Sequence, residues 1–205
     1  TRTLINRVGY IRETIFGGFW EFTDDLSRAD TAYTNIELLA HTDGTYSHDA
    51  PGLQMLHCLR FEGTGGASTL VDGFALAEWF RHHRPEMFDV LATTMIPGEY
   101  LGDGAHLRAE RPVLRHHQGV LQQVSFNTAD RAALHMSPDQ LDVLYPALVE
   151  FERRANDPVN IWEHVLAPGE ALLFDNWRVL HGRRAYTGRR HMCGAYLNHE
   201  DFESR

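Results

Sequence analysis

Short apolar runs bounded by turn-forming residues dominate the pattern of hydrophobic and polar positions along this chain. Such runs are typical of β-strands that bury at least one face. Glycine and proline mark turns between them, notably at Gly65-Gly66 and Pro168-Gly169. We therefore predict five strands, over residues 53–61, 68–71, 119–126, 171–174 and 192–197.

Two segments have a helical pattern instead. One covers residues 74–92, directly after Asp72-Gly73. The other begins at Ser137, because a serine can cap a helix, Pro138 suits its first turn, and Gln140 stands at the capping-box position. The apolar side chains of this second helix form one stripe that we predict to pack against the sheets: Leu141, Leu144, Tyr145, Leu148 and Phe151.

Many short strands interrupted by helices predict a mainly β fold, a double-sheet jelly roll with helical insertions. The chain has 205 residues, of which 43% are hydrophobic, and this is enough to bury a substantial core. No internal repeat, linker or low-complexity tract divides the sequence. We therefore predict that residues 1–205 form a single domain.

Composition and charge exclude several classes of function. A formal net charge of −9 without a basic run argues against nucleic acid as a partner and favours cationic ligands. No apolar stretch approaches the roughly 20 residues that span a membrane. All 19 basic residues are arginine, so a mechanism that needs a lysine is excluded. This arginine usage indicates a GC-rich coding sequence, and the two cysteines indicate a reducing compartment. We therefore predict a cytoplasmic, bacterial protein, with a mitochondrial location as the alternative.

His41 and Asp43 are the first candidate metal ligands. On a strand, residues two apart point to the same face, so both side chains can contact one ion. His181, far downstream, can supply the third ligand from another strand. Two imidazoles and one carboxylate on one face leave coordination positions open, which is typical of non-haem Fe(II) oxygenases and not of closed structural zinc sites.

A second His-x-Asp pair, His199 and Asp201, shows that the doublet alone is weak evidence. It lies near the end of the sequence, with no histidine after it to complete a site. Single histidines are more often surface or hydrogen-bonded core residues than ligands, and we interpret the remaining ones in this way. The prediction of a metal site therefore depends on His41, Asp43 and His181 together.

Longer motifs surround these ligands. They include His41-Thr-Asp-Gly-Thr-Tyr, His57-Cys-Leu-Arg-Phe-Glu-Gly-Thr-Gly-Gly, Phe174-Asp-Asn-Trp-Arg-Val-Leu-His-Gly-Arg and Arg190-His-Met-Cys-Gly-Ala-Tyr. Over nearly its whole length the chain resembles the trimethyllysine dioxygenase and γ-butyrobetaine dioxygenase family of 2-oxoglutarate-dependent oxygenases. The stretches Arg12-Glu-Thr-Ile and Phe61-Glu-Gly-Thr-Gly-Gly are more similar to the trimethyllysine branch. The small N-terminal zinc-binding domain of that family has no counterpart in these residues.

The resemblance implies a distorted double-stranded β-helix, Fe(II) as the metal, and 2-oxoglutarate and dioxygen as co-substrates. By motif, Arg190 aligns with the arginine that binds the far carboxylate of 2-oxoglutarate, which a guanidinium does through two parallel hydrogen bonds. Arg189 is the alternative, because strand alternation allows only one of the two to face the site. Ser68 aligns with a hydroxyl residue that contacts this co-substrate, with Thr69 as the alternative.

The resemblance also implies an aromatic cage for a trimethylammonium group, which cannot donate a hydrogen bond and is recognised by π faces. Each aromatic residue taken alone is more often part of a core, and their joint alignment favours the cage. The residues that align with the cage of the γ-butyrobetaine enzyme are Phe16, Trp20, Tyr33 and Tyr196.

Two polar residues distinguish the candidate substrates. Asp30 and Asn127 align with asparagines that bind the carboxylate of butyrobetaine in the γ-butyrobetaine enzyme. An aspartate repels a carboxylate and attracts an α-ammonium group, which trimethyllysine has and butyrobetaine lacks. Asp30 therefore favours trimethyllysine.

From these residues and the resemblance we predict Fe(II)/2-oxoglutarate-dependent hydroxylation of N6-trimethyllysine at carbon 3, the first step of carnitine biosynthesis. The alternatives are hydroxylation of γ-butyrobetaine, a non-enzymatic cupin-like module that binds a metal or a small molecule, and an inactive domain. The expected partner is a small cationic substrate, with no nucleic acid and no membrane. The oligomeric state is left open, with a homodimer as one alternative.

Overall fold

Two four-stranded antiparallel sheets form the framework of the chain. The computed structural model describes residues 1–23, 34–102 and 104–204. In spatial order the first sheet contains β1 (Trp20–Phe22), β12 (Tyr186–Leu197), β3 (Leu53–Gly65) and β10 (Ala171–Asp175). The second sheet contains β2 (Leu38–His41), β11 (Val179–Arg183), β4 (Ser68–Asp72) and β9 (Trp162–His164). The prediction of a mainly β jelly roll is confirmed.

Two hairpins complete the strand content of the described residues. They are β5 (Ile96–Gly102) with β6 (Ala105–Arg111), and β7 (Leu114–His117) with β8 (Val120–Val124). All five predicted strands are present, although β12 begins at Tyr186 and not at residue 192. The early part of β12 is polar and contains Gly188, so its strand conformation comes from pairing with β3 and not from a hydrophobic pattern.

The helix predicted over residues 74–92 is two helices, α2 (Gly73–His83) and α3 (Pro85–Thr93). Arg84 separates them, with φ −146° and ψ 59°. The ring of Pro85 disfavours the helical conformation for the residue before it, while proline itself suits the first position of a new helix. The hydrophobic pattern continues across the break, which is why it did not reveal two helices.

The second predicted helix, α4 (Pro138–Ala155), begins as expected. Ser137 and Gln140 form the reciprocal capping box. Leu144, Leu148 and Phe151 are buried, as predicted. Tyr145 is a wrong assignment, because its side chain is 47% exposed. Two short helices, α1 (Arg2–Val8) and α5 (His199–Glu203), were not predicted.

Helices cover the outer sides of both sheets. The largest buried cluster joins α2, α3 and α4 to the second sheet through Val71 and Leu180. These two residues alternate along their strands with Leu70 and His181, which therefore point to the opposite face. A smaller cluster packs α1 against the first sheet through Ile5. Among the described residues, no helix is both long and apolar enough to cross a membrane.

The segment that follows β2 is fixed by the fully buried side chain of Asn176. Its carboxamide oxygen accepts a hydrogen bond from the backbone nitrogen of Asp43 (2.8 Å). Its amide nitrogen donates to the carbonyl oxygens of Asp43 (3.1 Å) and Pro51 (2.9 Å). Because Asn176 directly follows β10, it ties a strand end of the first sheet to a loop of the second.

Asn176→Ala should lower the free energy of unfolding by about 3 kcal/mol, because three hydrogen bonds are lost and buried backbone groups remain without partners. In a protein of this size that corresponds to a fall in Tm of roughly 6–12 °C, measurable by circular dichroism. The control is Asn160→Ala, which removes one hydrogen bond to the carbonyl of Arg154. Equal losses in the two variants would contradict the role of Asn176.

Candidate metal centre

His41, Asp43 and His181 come together in the space between the two sheets. One ligand atom from each lies within 4.8 Å of the others. His41 and His181 are direct partners in the antiparallel pairing of β2 with β11, and their ring centroids are 4.4 Å apart. The Asp43 carboxylate lies 3.5 Å from Nε2 of each histidine. The structure thus assembles the three residues that the sequence predicted as metal ligands.

The expected reason for the position of Asp43 was wrong. His41 is the last residue of β2, so Asp43 lies beyond the strand and not two residues along it. Between them, Thr42 exchanges two hydrogen bonds with Phe126: its backbone nitrogen donates to the carbonyl (2.7 Å), and its hydroxyl accepts from the backbone nitrogen (2.9 Å). These bonds turn Thr42 away from the site, and Asn176 then fixes Asp43.

Burial and charge set the protonation of the three ligands. Burial by itself would raise the pKa of the Asp43 carboxyl. The charges and hydrogen bonds of His181 and His41 have the opposite and larger effect, and they hold this pKa well below its usual value. Burial lowers the pKa of His181. Burial also opposes protonation of His41, yet the hydrogen bond and charge of Asp43 raise its pKa. At neutral pH, Asp43 is therefore a carboxylate and His181 a neutral imidazole, the forms that bind metals.

The donor set fits a divalent metal such as Fe(II). Ligands bound to one ion at adjacent octahedral positions, about 2.1 Å from it, lie about 3 Å apart, close to the 3.5 Å observed here. Nδ1 of His41 is 2.8 Å from the carbonyl oxygen of Leu39, which holds the proton on Nδ1 and leaves Nε2 free to ligate. His41 and Asp43 are partly exposed, so further ligands can reach the centre.

Tyr196 connects the predicted aromatic cage to this centre. Its hydroxyl donates a 2.7 Å hydrogen bond to Asp43, from a strand of the other sheet. The ring of Trp20 lies 5.4 Å from the ring of Tyr196, and Trp20 also packs on Phe22. Two of the predicted cage residues therefore form an aromatic wall beside the metal ligands.

The other predicted cage residues, and Asp30, either pack in another aromatic group or lie outside the described residues. Phe16 packs edge-to-face on Tyr100 (5.4 Å between centroids), which in turn contacts Tyr46 (5.2 Å). Tyr33 and Asp30 lie outside the described residues. The structure thus places Phe16 in an aromatic group with Tyr46 and Tyr100, two residues without a predicted substrate role.

Strand alternation distinguishes Arg190 from Arg189. In β12 the side chain of Tyr196 points to Asp43, and even-numbered residues of the strand share its face down to Arg190. The register shift in this pair does not interrupt that order, because the extra residue lies in β3. Burial raises the pKa of the Cys58 thiol and the charge of Arg190 opposes this, so Arg190 lies near that buried thiol. Arg189 points the other way and is exposed.

The same reasoning applies to Ser68 and Thr69, which are both buried. In the pairing of β4 with β11, Leu70 is opposite His181, and opposite residues point to the same face. Ser68, two residues from Leu70, therefore shares the face of His181. A Cβ atom built on Gly182 would lie 2.8 Å from the Thr69 hydroxyl, which places that hydroxyl on the other face.

Asn127 directly follows Phe126, the partner of Thr42, and its side chain is engaged in a turn. Its side-chain nitrogen donates to Asp130 (2.8 Å), and its oxygen accepts from the backbone nitrogen of Ala129 (2.9 Å). Asp130 also accepts a hydrogen bond from Thr45 (3.4 Å), and its charge contributes to the raised pKa of His41. Asn127 can still offer its second amide hydrogen to a ligand.

Sequence reasoning missed the residues that support the ligands. Asn176 stands five positions before His181, within the motif Phe174-Asp-Asn-Trp-Arg-Val-Leu-His-Gly-Arg, so its polar side chain was a usable signal. Phe174, in the same motif, packs its ring 4.8 Å from that of His181. Asp130 carried no comparable signal, because only folding brings it near the centre.

Comparisons with known proteins agree with this geometry. The sequence pattern of the family described as "Taurine catabolism dioxygenase TauD, TfdA family" matches residues 1–196. The chain is 43% identical over 211 residues to trimethyllysine dioxygenase of Meyerozyma guilliermondii, covering 100% of this chain and 53% of the relative. It is 41% identical over 208 residues to the human enzyme named trimethyllysine dioxygenase, mitochondrial (98% and 49% covered).

Human γ-butyrobetaine dioxygenase is 32% identical over 208 residues, covering 97% of this chain and 54% of that protein. The chain therefore spans about half the length of the curated relatives it matches. The resemblance to both branches is confirmed, with higher identity to the trimethyllysine enzymes. The prediction of a bacterial protein is not supported, since the human trimethyllysine enzyme is named mitochondrial.

A solved structure shows the same fold. A putative α-ketoglutarate-dependent taurine dioxygenase from Burkholderia xenovorans superposes with a TM-score of 0.69 and 16% identity, covering 96% of this chain and 72% of that one. At this identity the likeness concerns the fold alone. Because the family pattern accounts for nearly the whole chain, this protein belongs to the TauD, TfdA family of dioxygenases.

Proposed function

We propose that this chain is the catalytic part of a Fe(II)/2-oxoglutarate-dependent dioxygenase that hydroxylates N6-trimethyllysine at carbon 3, in carnitine biosynthesis. The observation that carries the proposal is the contact between the two halves of the site. A candidate metal ligand, Asp43, accepts a hydrogen bond from an aromatic residue, Tyr196, that aligns with a trimethylammonium cage. A metal and a cationic substrate would then bind side by side.

His41, Asp43 and His181 would hold the iron. Bound there, iron supplies the activation of dioxygen coupled to oxidative decarboxylation of 2-oxoglutarate, which drives hydroxylation of a C–H bond. The chain itself contributes orientation. Tyr196 and Asn176 fix the carboxylate of Asp43 through its side chain and its backbone, because ligands held by outer-shell hydrogen bonds keep their geometry.

Binding of 2-oxoglutarate would use Arg190 and Ser68. A guanidinium forms two parallel hydrogen bonds with a carboxylate, and Arg190 is supported over Arg189 because it shares the face of Tyr196. Ser68 is supported over Thr69 because it shares the face of His181. Both assignments rest on strand register.

The aromatic wall would bind the trimethylammonium group. Rings of Trp20 and Tyr196 are in contact beside Asp43, and each π face that a cation meets contributes about 0.5–2 kcal/mol. Trimethyllysine is supported as substrate by the 43% identity to a trimethyllysine dioxygenase against 32% to γ-butyrobetaine dioxygenase. Asp30 supports it by charge, although this residue lies outside the described ranges.

Hydroxylation of γ-butyrobetaine is the second candidate. It is favoured by the same aromatic wall and by the 32% identity to a protein named γ-butyrobetaine dioxygenase. A cupin-like binding module is disfavoured, because the relatives reported above are named dioxygenases. The exclusion of nucleic acid and the alternative of a homodimer stay predictions.

The function is tested by a substrate panel. With Fe(II), 2-oxoglutarate and dioxygen, succinate should form with N6-trimethyllysine at a kcat/KM at least about tenfold above that with γ-butyrobetaine. An analogue with a neutral tert-butyl group should be weaker, because the cation–π contribution is lost while apolar burial is kept. Trp20→Leu should reduce this difference. Preference for γ-butyrobetaine would assign the other branch, and no succinate with any amine would reject the proposal.

Metal binding should require His41, Asp43 and His181 and no other histidine. His181→Ala should weaken Co(II) binding, followed by visible absorption, by more than the roughly 100-fold that loss of an outer-shell partner costs. His199→Ala, from the second His-x-Asp pair, should leave it unchanged. Affinity should also fall as the pH drops through the raised pKa of His41, since a proton then competes with the metal. Loss of binding in His199→Ala alone would refute the assignment.

Arg190 should determine the affinity for 2-oxoglutarate. Arg190→Ala should raise the Kd, measured by calorimetry, by about 30-fold or more, because a bidentate charged contact is worth roughly 2–5 kcal/mol. Arg190→Lys should restore only part of it, because an ammonium group lacks the fork geometry. Arg189→Ala is the matched control and should have little effect. The reverse result would show that β12 presents its other face.

A further inference from the structure

Arg111 occupies a position where the strand pattern requires an apolar side chain. At the end of β6 (Ala105–Arg111), the alternate residues Ala109 and Arg111 are 2% and 6% exposed, and Val113, just after the strand, is 1% exposed. Residues that alternate in this way point into the interior together. An arginine is almost never buried to this extent unless it is paired.

The guanidinium of Arg111 lacks the partners that would explain its burial. Among the described residues, its buried Nη2 has no hydrogen-bond partner. Burial lowers the pKa of Arg111 to about 10, Arg115 lowers it further, and Asp49 acts in the opposite direction. The group is therefore still positively charged at neutral pH. An unpaired buried charge is strongly destabilising, so a position that keeps one indicates an anion that is bound part of the time.

A small cavity, lined by apolar residues and by a few polar ones, receives this side chain. The residues that line it together with Arg111 include Thr45, Ser125, Phe126, Asn127 and Arg131. Its interior of about 20 Å³ has room for roughly one water molecule or one carboxylate oxygen. We call it the Arg111 cavity. Its walls offer guanidinium, amide and hydroxyl donors, which are the groups that bind a carboxylate.

The Arg111 cavity adjoins the metal centre. Phe126, one of its walls, exchanges two hydrogen bonds with Thr42, which stands between His41 and Asp43. Thr45, another wall, follows Asp43 by two positions. A ligand that is held in the cavity by one end therefore has its remaining atoms close to the metal ligands.

The charges around the cavity favour an anion. Arg111 and Arg131 line it, and the one carboxylate in contact with its walls is Asp130 among the described residues. Asp130 already accepts hydrogen bonds from Asn127 and Thr45, so it is partly neutralised. Arg115 and Asp49 act on Arg111 with opposite signs. The two arginines in the walls therefore give the cavity a positive balance, in a chain whose net charge is −9.

We propose that the Arg111 cavity binds the carboxylate of the substrate, with Arg111 as the residue that recognises it. This inference rests on the proposed function, and deepens it by assigning the acidic end of a trimethylammonium amino acid. The cationic end lies at the aromatic wall of Trp20 and Tyr196, and the carboxylate lies in the cavity. Holding both ends fixes which carbon is presented to the metal centre.

The test compares two ligands that differ only in the carboxylate: N6-trimethyllysine and its decarboxylated analogue, trimethylcadaverine. Binding is measured without oxygen, in the presence of Fe(II) and 2-oxoglutarate. The wild type should bind trimethyllysine at least about tenfold more tightly. Arg111→Met should abolish this preference and leave the affinity for trimethylcadaverine unchanged. Arg108→Met, an exposed arginine of the same strand, is the matched control and should keep it.

If Arg111 has only a structural role, the Arg111→Met variant should behave differently. Removing a buried unpaired charge should leave the Tm of Arg111→Met equal to or above that of the wild type. A lowered Tm together with an unchanged preference for trimethyllysine would identify Arg111 as a structural residue and overturn the inference. Arg111→Gln provides a second variant, and it should lose the same preference.

A last measurement separates this inference from the proposed function. If the wild type binds neither amine, the proposed function fails, and the cavity is tested with acetate. Tm is then followed against sodium acetate at ionic strength kept constant with sodium chloride. A saturable rise in the wild type that is absent in Arg111→Met supports a carboxylate site, and equal behaviour of the two proteins overturns it.

Discussion

The antiparallel pairing of β2 with β11 is the constraint on which the site depends. It sets His41 directly opposite His181, so that two imidazoles more than a hundred positions apart in sequence share one face of the second sheet. Backbone hydrogen bonds determine this register, and a shift by one residue would turn one of the two side chains to the other face. The packing of α2, α3 and α4 on the opposite face makes such a shift costly, because it would expose the apolar residues buried there.

Asp43 is the point at which the two sheets meet. Its backbone is held by Asn176, and its carboxylate receives a hydrogen bond from Tyr196, so both anchors belong to or directly follow strands of the first sheet. The two histidines come from the second sheet. The candidate metal centre therefore depends on how the sheets are placed relative to each other, and changes at Asn176 should reach the metal through the loop after β2.

In this acidic chain, the inward-facing arginines and the aromatic wall lie in separate places. Arg190 lies on the inner face of β12 and Arg111 is buried beside the loop after β2. In the proposed function each of these positive groups would bind a carboxylate. A cationic group would bind at the aromatic wall instead, where Trp20 and Tyr196 offer π faces. Such an arrangement orients a substrate that carries both charges, because exchanging its ends would set like charges together.

The sequence alone determined the fold class, five strands, the capping of α4 and the three candidate metal ligands, because these depend on local pattern or on motifs of distinctive residue types. By motif, the sequence also favoured Arg190 over Arg189 and Ser68 over Thr69 as residues that bind the co-substrate. Which face each of these residues shares follows only from strand register, since adjacent residues point to opposite faces. The break at Arg84, the anchoring of Asp43 by Asn176 and the burial of Arg111 appeared only in the tertiary structure. Each depends on backbone geometry or on contacts between distant segments, which no local pattern records.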